Sequence, residues 1–209
     1  MPPPCVYTAV RDPVSHFLSG YNEVEFRQLG EYNNKSSTGF PSAPYHHAFP
    51  YSEDSPELRK TRFKAFVEDL LREEKVFGQH WQYRHFYDMS RVLVPLKKHK
   101  VELKYIPGLS NITSVWPRFM SSTCPNFPAL DTIPKMPISG QHRSSKDRLG
   151  LYKAAKEVWA EGGPISRSIC ILHAFDYACF PELAKNIPLL CKFVYRDHAE
   201  DIVRLGTKH

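Results

Sequence analysis

The sequence predicts an α/β fold, rich in helix and poor in strand, and three observations carry that prediction. Cys5 to Val10 (CVYTAV) is a short apolar, β-branched run that reads as a buried strand. Asp12-Pro13 follows at once, an N-cap and first-turn pair that starts a helix. Apolar residues then recur at helical spacing in several later segments, while only short pieces elsewhere resemble strands.

The elements follow in order. Val14, Phe17, Leu18, Tyr21 and Val24 form the apolar face of the first helix, with a stop expected at Gly30. Residues 31–55 read as a loop rich in Ser, Asn, Pro and Tyr. Ser55-Pro56 opens a second helix whose core face is Phe63, Phe66, Val67, Leu70 and Leu71. Its charged residues, Arg62 among them, read as the solvated face. Residues 77–90 read as an aromatic, polar loop. Arg91 to Pro95 and Val101 to Tyr105 read as short strands on either side of a basic turn, Lys97 to Lys100. Ser110 caps a short helix interrupted by Pro117, and residues 121–143 read as loop. Ser145 to Trp159 and Pro164 to Cys179 are amphipathic helices separated by Gly162-Gly163. A last helix runs from Leu189 to Leu205 and ends at Gly206.

Composition narrows the class. The chain has 209 residues, enough for one domain with a real core, and a single domain over 1–209 is expected. It is 42% hydrophobic, 24% charged and 13% aromatic, which excludes a disordered chain, a collagen-like repeat and a coiled coil. Twenty-eight Lys and Arg against 22 Asp and Glu leave a net charge of +6. That excess suits an anionic ligand. It is spread along the chain, with no clustered basic face or recognition helix, so no nucleic-acid partner is expected. Eighteen prolines against 10 glycines imply long, extended connections. No apolar run approaches the ~18 residues of a membrane span. The best, Ile169 to Phe180, is broken by His173, which reads as a satisfied core histidine, and by Asp176.

The five cysteines are Cys5, Cys124, Cys170, Cys179 and Cys191. None forms C-x-x-C or a Cys/His cluster with metal-ligand spacing, so no metal site is expected. Cys170 and Cys179 read as buried free thiols; a Cys179–Cys191 bridge across the Pro181–Pro188 loop is open to a lumenal chain. Asn34-Lys35-Ser36 and Asn111-Ile112-Thr113 match the glycosylation acceptor pattern, which arises often by chance.

The strongest constellation is Val10-Arg11-Asp12-Pro13 leading to Ser15, Ser19 and Tyr21. An arginine at the end of a buried strand offers a planar fork suited to phosphate, and a hydroxyl on the second helical turn can add a hydrogen bond. An anion there would also feel the positive end of the helix dipole. The competing reading is that Arg11 pairs with a carboxylate and Ser19 is an ordinary helix residue.

This segment resembles the sulfotransferase superfamily, where strand–R-D-P–helix with a serine eight residues after the arginine binds the 3′-phosphate of 3′-phosphoadenosine-5′-phosphosulfate (PAPS). Arg11 and Ser19 match those two positions. Three other stretches, in the family's order, are similar to its Golgi carbohydrate-sulfotransferase branch. They are Phe63 to Leu71 followed by Phe77-Gly78-Gln79-His80-Trp81, then Tyr105-Ile106-Pro107-Gly108-Leu109-Ser110 leading to Trp116, and Asp201 to Gly206 near the end. The resemblance implies a three-layer, P-loop-like fold. It implies transfer of a sulfuryl group from PAPS to a hydroxyl of a carbohydrate or similar acceptor, in the Golgi lumen for the full-length protein; a cytoplasmic location is the alternative.

The family's phosphosulfate loop, a basic loop between strand and helix upstream of R-D-P, has no counterpart here. The expected fold is therefore an incomplete, N-terminally truncated version. The resemblance implies that a membrane anchor, which Golgi members carry at the N-terminus, would be lost with the same piece; Met1-Pro2-Pro3-Pro4 itself lacks the basic and apolar regions of a signal peptide. Ser110 stands where the family usually has a glutamate, and Thr207 replaces the closing aromatic. His80 is the expected catalytic base, since histidine titrates in the right range and His80 lies in the aromatic segment that matches the family. The alternative is that His80 and Trp81 pack a loop onto the core. The chain alone is expected to transfer sulfate weakly or not at all; the other function open to it is a non-catalytic remnant that binds adenosine 3′,5′-bisphosphate weakly, or only a protein partner.

Overall fold

The computed structural model describes residues 5–34, 54–72, 89–99, 101–107, 112–123, 147 and 149–200. Strand β1 (Cys5–Val10) pairs in parallel with β2 (Glu102–Pro107), with Cys5 opposite Glu102 and Val10 opposite Pro107. Parallel neighbours require a crossover, and among the described residues this one carries three helices. The coarse expectation, α/β with much helix and few strands, is what is found: among the described residues the sheet has these two strands.

Helix α1 (Pro13–Asn34) starts where Asp12-Pro13 predicts, with the Ser15 N–H donating to the Asp12 carboxylate at 2.8 Å. It runs past Gly30. One interior glycine costs a helix only about 1 kcal/mol, too little to stop it without a left-handed cap. Helix α2 (Pro56–Arg72) is opened by Ser55, whose hydroxyl accepts the Leu58 N–H at 3.1 Å. Phe63, Phe66, Val67 and Leu70 are buried, but Leu71 is 40% exposed. It lies a further 100° round the helix, beyond the edge of the stripe. Arg62, expected on the solvated face, is fully buried. Asp54, ahead of the helix, bonds to it and so makes that burial tolerable.

Residues 91–95 are helical, contrary to the strand expectation: α3 spans Met89–Lys98. Met89 and Leu93, one turn apart, both pack on a buried cluster, a helical period that outweighs the β-branched valines; Pro95 is exposed. Helix α4 (Ile112–Thr123) contains Pro117 without breaking. Helix α5 (Leu151–Ala160) begins later than Ser145, because Asp147 caps it: its two carboxylate oxygens accept the N–H groups of Tyr152 and Lys153 at 3.1 and 2.7 Å.

The expected helix 164–179 is divided into α6 (Pro164–Leu172) and α7 (Ala174–Cys179) at His173, whose φ of −108° and ψ of 13° depart from helical values. His173 and Asp176 are both fully buried, Nδ1 to Oδ2 3.5 Å, and the imidazole meets Phe17 edge-on at 5.3 Å. The short α8 (Pro181–Ala184) and α9 (Leu189–Asp197) follow; a turn at His198 interrupts the expected last helix, Ala199 and Glu200 are helical again, and its end from Asp201 to Leu205 lies outside the described residues.

Two clusters hold these pieces together. The larger gathers α1, α2, α5, α6 and α9, with Tyr21 packed on Phe63 at a centroid distance of 4.8 Å. Within it Cys170 of α6 and Cys191 of α9 form a disulfide, Cα atoms 5.1 Å apart. Cys170 is therefore not the free thiol expected, and the partner of Cys191 is not Cys179. The reason is tertiary: α6 and α9 lie side by side with both sulfurs inward, whereas Cys179 ends α7 and is half-buried. The smaller cluster, Val10, Tyr177, Phe180 and Leu183, packs beneath the end of β1 with Met89, Leu93 and Tyr105 alongside.

Candidate functional site

Because β1 and β2 are parallel and in register at Val10 and Pro107, both chains leave the sheet at one edge. Ligands of open α/β sheets bind outside the carboxyl ends of such strands. Arg11 is the first residue past β1, half-buried, with its N–H donating to the Met89 sulfur at 3.5 Å. Ser15 and Ser19 lie one turn apart on α1, both half-buried, while Val14, Phe17, Leu18 and Tyr21 take the core. Ser19 is thus off the core face, as a hydroxyl serving a ligand must be.

The helix-dipole expectation needs correction. Asp12 already occupies the start of α1: Oδ1 accepts the Ser15 N–H, and Oδ2 accepts the hydroxyl of Tyr177 at 2.9 Å. An anion at this edge would meet a carboxylate at the helix terminus, so its attraction must come from side chains. Arg11 is the side chain placed to supply it. Among the described residues no carboxylate pairs with its guanidinium.

The residues that fix this edge come from the far end of the sequence. Tyr177 is buried, and burial, then the Asp12 charge and hydrogen bond, push its hydroxyl far above the usual tyrosine range, so it stays a neutral donor. Its neighbour Asp176 accepts the Ser90 N–H of α3 at 2.6 Å. On the β2 side, the Tyr105 hydroxyl bonds to Glu182, and burial with that carboxylate pushes it up to about 12. Sequence reasoning missed Tyr177 as part of this site. The available signal was Asp176, a lone carboxylate in an apolar run, which must find a buried partner.

His80 and the Phe77–Trp81 stretch lie outside the described residues, as do Gly108 to Asn111 and the 201–206 segment. Among the described residues no group of His, Cys, Asp and Glu has the arrangement to hold a metal ion, and no helix is long and apolar enough to cross a membrane. Compared with family models, curated proteins and solved structures, the chain gives no match.

Proposed function

We propose that this chain is part of a PAPS-dependent sulfotransferase acting on a hydroxyl of a carbohydrate or similar acceptor, with Arg11 and Ser19 as ligands of the 3′-phosphate. The observation that carries this reading is the pairing of β1 with β2. It brings Arg11-Asp12-Pro13 and the stretch from Tyr105 to Pro107, which resemble one family and stand far apart in sequence, to the same edge of one parallel sheet. An Arg11 fork with no carboxylate partner among the described residues and a half-buried Ser19 suit a phosphate. The Cys170–Cys191 disulfide supports the Golgi lumen, where such bonds persist, over the cytoplasm.

On this reading PAPS supplies the activated sulfuryl group, and its 3′-phosphate is held at the end of β1. Each charge-assisted hydrogen bond from Arg11 contributes roughly 1.5–3 kcal/mol before the cost of ordering the nucleotide. His80, from the matching aromatic segment, takes the proton of the acceptor hydroxyl as its oxygen attacks sulfur and the bond from sulfur to the 5′-phosphate oxygen breaks, with adenosine 3′,5′-bisphosphate leaving. These 209 residues include no glycine-rich basic loop for the 5′-phosphosulfate, so by themselves they bind nucleotide weakly and transfer sulfate poorly. The complete fold would be the three-layer, P-loop-like type.

Binding of adenosine 3′,5′-bisphosphate to the wild type and to Arg11→Ala tests the reading. Weak, salt-sensitive binding by the wild type and none by Arg11→Ala is expected, with His80→Ala binding normally and failing only in turnover of a completed enzyme. Equal binding by the Arg11 variant would remove the 3′-phosphate assignment. Robust sulfation of a glycan by the isolated chain would contradict the expected weakness.

A further inference from the structure

Asp12 poses a problem for any phosphate at Arg11. Its carboxylate adjoins the guanidinium in sequence, and an ion pair between the two would cancel the charge the phosphate needs. Both Asp12 oxygens are engaged elsewhere, one by the Ser15 N–H and one by the Tyr177 hydroxyl. The first bond is local to α1. The second comes from α7, from a ring packed in the cluster beneath β1.

Helix α7 also controls the other flank. Asp176 holds the first turn of α3 through the Ser90 N–H, and the preceding residue, Met89, accepts the Arg11 N–H. Consecutive residues of one short helix thus hold both the carboxylate beside Arg11 and the helix against its backbone.

We propose that Tyr177 is a positioning residue for the Arg11 anion site: its hydroxyl keeps the Asp12 carboxylate in the cap of α1 and leaves the guanidinium open to a phosphate. The inference rests on the reading of Arg11 as a phosphate ligand, and it names a residue that touches no ligand. Tyr177→Phe removes the hydroxyl and keeps the ring. The freed carboxylate then competes for Arg11, and the affinity for adenosine 3′,5′-bisphosphate falls about tenfold, the equivalent of one charge-assisted hydrogen bond.

The discriminating arm is rescue. Asp12→Asn keeps a side-chain oxygen to cap Ser15 but has no charge to offer Arg11. Asp12→Asn should bind the bisphosphate more tightly than the wild type, and the Tyr177→Phe/Asp12→Asn double variant should regain at least wild-type affinity. A merely structural tyrosine would leave the double variant as weak as Tyr177→Phe, and that result overturns the proposal. So does wild-type affinity in Tyr177→Phe when Arg11→Ala has lost binding, an outcome that leaves the phosphate reading standing. No binding by the wild type sinks both together. Should Tyr177→Phe fail to fold by urea unfolding, Asp12→Asn alone decides: weaker binding than the wild type refutes the proposal.

Discussion

Asp54 shows how one carboxylate can make a buried arginine tolerable. It accepts hydrogen bonds from Arg59 at 2.8 Å and from the buried Arg62. Burial works to raise its carboxyl, but the hydrogen bonds and charges of the two arginines outweigh that and hold it below the ordinary carboxylate range. The unfolded chain therefore takes up the proton first as pH falls. The stabilisation is complete above about pH 4, where an unfolded aspartate ionises, and is lost as pH drops through the lowered folded value. Urea midpoints measured from pH 7 to pH 3 should fall more steeply for the wild type than for Asp54→Asn. At pH 7 that variant should be less stable by about 1.5–3 kcal/mol, the worth of a charged hydrogen bond. Parallel curves for the two proteins would show that the Asp54 pair does not couple to folding. Gly150 is the second sensitive residue: its φ is +68°, and an added Cβ would stand 2.5 Å from Nη1 of Arg59, which Asp54 holds in place. Gly150→Ala should cost about 1–2 kcal/mol for the left-handed backbone alone, seen as a lower melting temperature.

Among the elements, α6 and α9 depend on each other most visibly. Cys170 and Cys191 join them across a sequence separation of 21, and the Tyr195 hydroxyl adds a bond to the Cys170 carbonyl at 2.8 Å. Replacing both cysteines by alanine should cost about 2–4 kcal/mol, chiefly by freeing the unfolded chain. Unfolding with and without reductant checks this: the wild type should lose stability on reduction and the double variant should not respond. Three helix starts were legible because their signals are local. Asp12-Pro13 and Ser55-Pro56 each start a helix where the sequence places one, because cap and capped N–H are neighbours, and Pro164 does so because its fixed φ suits the first helical position. Features whose partner is distant were illegible. Arg62 reads as solvated until Asp54 is seen, and residues 91–95 read as a strand until Met89 and Leu93 are seen packing as helix neighbours.

At the scale of the whole molecule, the candidate site repeats that division. The strand, the turn and the two proposed ligand positions, Arg11 and Ser19, are contiguous in sequence and could be read from it. The tertiary frame could not, since Tyr177 reaches Asp12 across a sequence separation of 165, and Val10 pairs with Pro107 across a long helical crossover. If the end of β1 recognises a 3′-phosphate, as proposed, a nucleotide pair isolates that group. Calorimetric titration of the wild-type chain with adenosine 3′,5′-bisphosphate and with adenosine 5′-monophosphate, at one salt concentration, differs only in the 3′-phosphate. The bisphosphate should bind at least tenfold tighter than the monophosphate, the difference one charge-assisted hydrogen bond makes. Equal affinity for the two, or none for the bisphosphate, would contradict the 3′-phosphate proposal.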